Sequence, residues 1–389
     1  MTYKILVVDD EPDLEDLITQ KFKNEIRTKE FEFGFAANGV EALELLKADG
    51  EFDLVLTDIN MPEMDGLTLL AKMKEMENPL LRSVIVSAYG DLENIRTAMN
   101  RGAYDFVVKP IDLNDLEITI RKCLDDLRLL KEAVKSRDRL VSIEKELGIA
   151  RMIQTTILPR VFPERAEFDL CAEMIPAKEV GGDLYDFFFV DRYRLGVVIG
   201  DVSGKGVPAA MFMTVAKTLL KATALKGIPP DTCIETVNRI LVDESLPSMF
   251  VTLFYGVLDT RNGLFEYAIG GHNPPFLISN GSTRELECKR GLLVGAIKNA
   301  EYDSNVLMLQ PGDTIFLYTD GITEAMNVAS DMYEVERLAA CLQESGKLTA
   351  SQTTRRVVED VQSFAIGADQ SDDITCLAVT YYGPNGRPS

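Results

Sequence analysis

The chain has 389 residues, 46% of them hydrophobic, with a net charge of −21 and a single histidine, His272. That length exceeds one ordinary core and predicts at least two domains. The acidity opposes nonspecific binding to nucleic acid or to an anionic membrane, and one histidine leaves any metal site to carboxylates. No apolar run approaches the ~20 residues of a spanning helix, and the N-terminus lacks the basic start of a secretory signal. A soluble, cytoplasmic protein without membrane insertion is expected. Six cysteines without a CxxC pair read as buried, reduced thiols.

Up to residue 110, strands and helices alternate. "KILVVDD", "FEFGFAAN", "FDLVLTD", "SVIVSA" and "YDFVVKP" read as strands, with helical patterns between them. Such alternation predicts a doubly wound α/β domain with a parallel sheet, whose functional groups gather at the carboxyl ends of the strands. Asp9 and Asp10 end the first strand, Asp58 the third and Ser87 the fourth, and Lys109 follows the fifth. Each alone reads as a strand-end cap; together they make a site. Three converging carboxylates repel unless a cation such as Mg²⁺ sits among them. Beside it, Asp58 can act as a carboxylate nucleophile toward a phosphoryl group. Lys109 would offset charge on the acyl phosphate, and Ser87 would donate a hydrogen bond to it.

"VVDDE", "LTDINMPEMDG", "VSAYG" and "FVVKP" resemble the receiver domain of two-component response regulators, a flavodoxin-like fold, over residues 1–122. The resemblance implies that Asp58 is the phospho-acceptor and that a sensor histidine kinase is the partner. It implies Mg²⁺ held by Asp10, Asp58 and the carbonyl of Asn60, with Asp9 assisting. Ser87 and Phe106 would be the switch pair. Ser stands at 87 where Thr is also common.

Residues 123–158 are expected to form a helical coiled-coil linker. Apolar residues at Leu113, Leu116, Ile120, Cys123, Leu127, Leu130 and Val134 alternate spacings of three and four, a heptad seam. "KSRDR" (135–139) interrupts it. A second seam starts out of phase at Leu140, Ile143, Leu147, Ala150, Gln154 and Ile157, and Pro159 ends the helix. The seam predicts pairing with a twin helix in a homodimer; the competing reading is one amphipathic helix packed on its own domain.

From 159 to 385 the pattern changes to nine alternating strands with grouped helices at 207–225, 230–245, 332–345 and 349–366. That predicts an α+β layered β-sandwich, two sheets face to face under helices. "GDVSGKG" at 200–206 hints at a phosphate-binding loop, but the P-loop needs G-x-x-x-x-G-K-[ST]. Here Gly200 to Gly204 is one residue short, and Gly206 replaces the hydroxyl residue. The metal reading fares better. Asp183 in "GGDLYD", Asp201, Asp320 in "YTDG" and Asp372 and Asp373 in "SDDIT" each stand at a strand-loop boundary. Any one is an ordinary turn residue; their recurrence suggests an all-oxygen binuclear site that activates water for attack on phosphorus.

"GGDLYDFF", "GDVSGKGVPAAMFM", "AIGGHNPPFL", "LYTDGITEA" and "SDDITCLAV" together resemble PPM-type serine/threonine phosphatases, and more narrowly the SpoIIE/RsbU-like branch. The resemblance implies two Mn²⁺ or Mg²⁺ ions, with Asp183 and Asp201 bridging or flanking them. Val202 would offer a carbonyl, and Asp320 and Asp372 would complete the ligands, Asp373 being the alternative to Asp372. It implies a phosphorylated anti-sigma-factor antagonist as substrate. Ser203 replaces a histidine of eukaryotic members, and no arginine precedes Asp183 to bind phosphate. His272 is expected to stabilise a loop; Lys205 has no assigned role. The reading is a two-component-controlled phosphatase. A receiver-controlled noncatalytic scaffold is the alternative. A DNA-binding regulator is opposed by the charge and by the lack of a helix-turn-helix pattern after 122.

Overall fold

The structure, a computed structural model, describes residues 2–48, 50–88, 91–244, 249–288, 291–345 and 348–386. Tyr89 and Gly90 of "VSAYG", and Ser245 at the end of a predicted helix, lie outside the described residues. The chain divides into two compact units, Met1–Ser142 and Ile143–Ser389.

The first unit holds β1 (Tyr3–Val8), β2 (Phe31–Ala36), β3 (Leu54–Asp58), β4 (Arg82–Ala88) and β5 (Asp105–Lys109). They form one sheet in the order β2-β1-β3-β4-β5, parallel throughout. Helices α1 (Asp13–Lys21), α2 (Lys23–Arg27), α3 (Gly39–Ala48), α4 (Gly66–Glu75) and α5 (Leu92–Arg101) connect them, and α6 (Leu113–Ile157) follows. The strands are continuous apolar runs because both faces are covered. On β1, Ile5 and Val7 pack with α1 and α6, while Leu6 and Val8 pack with α3 and α4. The parallel register sets Val8 beside Thr57 and Asp58 beside Val86, so the aspartates that follow these runs emerge at one sheet edge.

Helix α6 is continuous for 45 residues; "KSRDR" does not break it. Leu116, Ile120, Cys123, Leu124 and Leu127 are all buried in the core of the first unit. Each such fully buried aliphatic side chain contributes about 1.5–3 kcal/mol. The first heptad seam is therefore occupied within its own domain, and the 122/123 boundary falls in mid-helix. Lys131 pairs with buried Asp53, extending this hold by another turn. Beyond it, Leu140, Ile143, Ile149, Met152 and Ile153 are exposed.

Among its described residues the second unit holds ten strands: β6 (Phe168–Ile175), β7 (Leu184–Phe189), β8 (Arg194–Val202), β9 (Val251–Asp259), β10 (Leu264–Gly270), β11 (Phe276–Ser279), β12 (Ser282–Glu285), β13 (Asn305–Met308), β14 (Thr314–Tyr318) and β15 (Ile374–Tyr381). Two antiparallel sheets result, β13-β10-β9-β8-β7 and β12-β11-β14-β15-β6. Helices α7 (Val207–Ala224) and α8 (Pro230–Glu244) cover the first sheet; α10 (Glu334–Gln343) and α11 (Ala350–Phe364) cover the second, and α9 (Asp320–Thr323) is one turn. Alternation along the strands builds the layers. On β8, Leu195, Val197 and Ile199 face the other sheet, whereas Val198 and Val202 face the helices. On β15, Leu377 and Val379 face inward, and Cys376 and Ala378 face α10 and α11. The sequence pattern missed β12 and α9, both only four residues long. Among the described residues no helix is long and apolar enough to cross a membrane.

Candidate functional sites at two acidic strand edges

In the first unit one carboxylate oxygen from each of Asp9, Asp10 and Asp58 lies within 4.8 Å of the other two. The sheet register delivers Asp58; the loop after it is closed by Gly66, whose N–H donates to the Ile59 carbonyl at 3.0 Å. A Cβ on Gly66 would collide with the Asp58 carbonyl, so the close approach requires glycine. Asp58 is buried and accepts the N–H of Ile59 at 2.6 Å. Exposed Asn60 presents its own N–H to the same oxygen at 3.5 Å.

Lys109 reaches into this cluster, with Nζ 2.7 Å from Asp58, 3.0 Å from Asp9 and 3.0 Å from Glu11. Burial alone would lower its pKa, but bonds to Asp58, Glu11 and Asp9 raise it, so it stays charged. Asp9 is pushed up by burial, partly countered by the Glu11 N–H and by Lys109. The Ser87 hydroxyl is fully buried and has no hydrogen-bond partner among the described residues. An orphan donor beside three carboxylates and a lysine suits an incoming anion. Phe106 is 38% exposed, its ring outside the core.

In the second unit, Asp201 lies in electrostatic reach of Asp183, Asp320 and Asp372, and Asp320 in reach of Asp372. Asp183 precedes β7, Asp201 lies near the end of β8, Asp320 follows β14, and Asp372 precedes β15. Asp183 is fully buried, and burial, then Asp201 and Asp373, drives its pKa well above the usual carboxylate range. Burial, then Asp320 and Asp372, pushes Asp201 up to about 7. Asp320 is raised by burial, then by Glu324 and Asp372. Among the described residues neither Asp201 nor Asp320 pairs with a basic side chain. Val202 turns its carbonyl toward Gly182, 2.9 Å from where a Cβ would stand. These acids and the Val202 carbonyl are all oxygen donors, the kind a hard divalent cation takes.

Asp373 does something else. One oxygen accepts the N–H of Ala177 at 2.8 Å; the other accepts that of Gly182 at 2.7 Å and lies 3.4 Å from that of Asp183. Both oxygens thus shape the loop that carries Asp183, and Asp372 is left as the outward-facing acid. The close approach demands glycines: a Cβ on Gly181 would strike the Asp373 carboxylate, and one on Gly321 its carbonyl. Thr319, fully buried, donates to Asp183 Oδ2 at 2.8 Å and accepts the Thr375 N–H at 3.2 Å.

Three further residues matter here. Gln154, read from sequence as part of an apolar seam, is buried and bonds Gly181 both ways, donating to its carbonyl at 2.6 Å and accepting its N–H at 3.1 Å. A lone glutamine in a heptad position was the available signal. Ser203 Oγ accepts the Phe250 N–H at 3.1 Å, tying the loop to the strand entry. His272 Nδ1 lies 2.8 Å from Thr252 Oγ1, which accepts the Asp201 N–H at 3.3 Å. Burial lowers the His272 pKa to about 4, so it is neutral at pH 7 and serves as a strut.

Two family profiles match the chain: "Response regulator receiver domain" over residues 5–121 and "Stage II sporulation protein E (SpoIIE)" over residues 191–382. Phosphoserine phosphatase RsbU of Bacillus subtilis is 35% identical over 184 residues, covering 47% of this chain and 54% of that protein. Sporulation initiation phosphotransferase F of the same organism is 34% identical over 124 residues, covering 32% of this chain and 95% of that protein. The SiaA-PP2C domain of Pseudomonas aeruginosa superposes with a TM-score of 0.56 at 20% identity, over 62% of this chain and 98% of that one, a likeness of fold. The chain spans about half the length of the longer curated relatives it matches. The first unit belongs to the response-regulator receivers, and residues 191–382 of the second match the SpoIIE profile.

Proposed function

We propose that the chain is a phosphorylation-controlled, metal-dependent protein serine/threonine phosphatase. The observation that carries this reading is the set of aspartates at 183, 201, 320 and 372. Burial and like charges nearby disfavour ionisation of Asp183, Asp201 and Asp320, and a divalent cation would reverse that. The SpoIIE profile match and the likeness to RsbU, named a phosphoserine phosphatase, support it. Asp183 and Asp201 would bridge or flank the metals, with the Val202 carbonyl, Asp320 and Asp372 completing the ligands. When bound there, two Mn²⁺ or Mg²⁺ ions supply an activated water and positive charge for in-line attack on phosphorus. The chain's own part is to hold the acids in place. Thr319 fixes one oxygen of Asp183, and Asp373 and Gln154 fix the backbone before it.

In the first unit we assign Asp58 as the carboxylate that takes a phosphoryl group from a sensor histidine kinase. A Mg²⁺ ion among Asp9, Asp10, Asp58 and the Asn60 carbonyl would neutralise the incoming charge. Lys109 would move from the free carboxylates to the acyl phosphate. Ser87 would turn its unpartnered hydroxyl to the phosphoryl oxygens, and Phe106 would follow inward. The functional parts we take as 1–122, a linker over 123–158 and 159–385. A second copy would pair as a coiled coil through the second seam, of which Leu140 and Ile143 are exposed. A phosphorylated anti-sigma-factor antagonist is the substrate we favour, in the cytoplasm.

The test is Mn²⁺-dependent phosphate release from such a phosphoprotein by the full chain, with and without a beryllofluoride mimic of the acyl phosphate. Mn²⁺-dependent release that changes on loading is expected. Equal rates in the two states would sink the coupling, and metal binding without turnover would favour the scaffold.

A further inference from the structure

Lys205 is the part of "GDVSGKG" that the function above leaves unused. Its ammonium lies 2.8 Å from Asp372 Oδ2 and donates to the Ser371 carbonyl at 2.5 Å. The other Asp372 oxygen accepts the Asp373 N–H at 2.8 Å. Both oxygens of one proposed metal ligand thus have partners within the protein, and one of those partners is a positive charge. Asp201 and Asp320 have no such basic partner among the described residues. Lys205 is 42% exposed and Asp372 is 33% exposed. A pair so open to water is weak, and a doubly charged ion can displace it.

The geometry points to Lys205 as a built-in competitor for metal: its ammonium holds the Asp372 oxygen that a divalent ion would take, and must leave when one binds there. The inference rests on the proposed role of Asp372 as a ligand. Two physical effects act in the same direction. The ion pair must be broken before Asp372 can coordinate, and the displaced ammonium still repels a cation nearby. Lys205 thus weakens one metal position selectively, the one that uses Asp372, and makes its occupancy dependent on metal concentration. It acts through Asp372 and is a positioning residue.

The experiment titrates the metal-free full chain with Mn²⁺ by calorimetry, comparing wild type with Lys205→Met and Lys205→Arg, with circular dichroism as the check on folding. Lys205→Met should tighten the weaker Mn²⁺ site by about three- to tenfold, and the gain should shrink as salt is raised. Lys205→Arg, which keeps the charge, should stay near wild type. A residue that merely braced the loop would give the opposite sign, with weaker binding on removal. Equal or weaker binding by a folded Lys205→Met variant, with Mn²⁺ still bound by wild type, overturns this inference alone. Failure of wild type to bind Mn²⁺ overturns the proposed function and this inference together.

Discussion

The two acidic clusters solve one electrostatic problem in opposite ways. In the first unit Lys109 sits among the acids and touches Asp9, Glu11 and Asp58 together. In the second, Lys205 touches Asp372, and among the described residues the deeper Asp183 and Asp201 have no basic partner. The first cluster carries its own cation and can stand ready between brief chemical events. In the second, backbone clamps hold the loop that carries Asp183, and under the proposed function the cluster's charge would be balanced by bound divalent ions rather than by a side chain at its centre.

Predictions can break or sharpen this contrast. The largest effect belongs to Asp201→Ala, which should lower Mn²⁺-dependent phosphate release by about a thousandfold or more, because several kcal/mol of charge stabilisation goes with the ion. Unchanged turnover would remove Asp201 from the metal site. Next is His272, whose folded pKa of about 4 lies below its usual value near 6.5. A lowered histidine keeps its contribution above pH 6.5 and loses it as pH falls toward 4. The loss should reach about 3 kcal/mol at most, and it should be missing in His272→Gln. Urea unfolding of both proteins across that window measures it.

Thr319→Val tests the clamps. It removes the donor to Asp183 and leaves the Thr375 N–H without its acceptor, so it should cost about 2 kcal/mol by chemical denaturation. A neutral result would mean that the acids are held without it. Smallest is Lys109→Met, expected to destabilise the metal-free first unit by about 1–2 kcal/mol, since the lysine is only partly shielded from water. Added Mg²⁺ should recover most of that loss, read as a larger Mg²⁺-induced rise in melting temperature than in wild type.

Much of this could be read from residue order alone. Parallel strands that end in Asp9, Asp10 and Asp58, and Gly-flanked aspartates at 183, 201 and 320, announce themselves because strand ends and turns are local features. What stayed hidden depends on distant contacts. Asp372 and Asp373 are neighbours of the same type, and only the tertiary fold sends one outward and turns the other onto Ala177 and Gly182. Gln154 fits a heptad as well as it fits a clamp until Gly181 is placed against it. The heptad seam itself was ambiguous, because apolar spacing cannot say whether the partner is a second helix or the sheet already at hand. The sheet took Leu116 through Leu127.

Asp373 also bears on how the protein is made. Its carboxylate joins the loop before Asp183 to the start of the last strand across 196 residues of chain. During synthesis, Asp183, Asp201 and Asp320 all leave the ribosome before the residue that shapes the Asp183 loop. A nascent chain that has reached Asp320 holds most of the proposed ligands but not the clamp on that loop. Activity should therefore appear only when the C-terminal strand docks, which keeps unfinished chains silent.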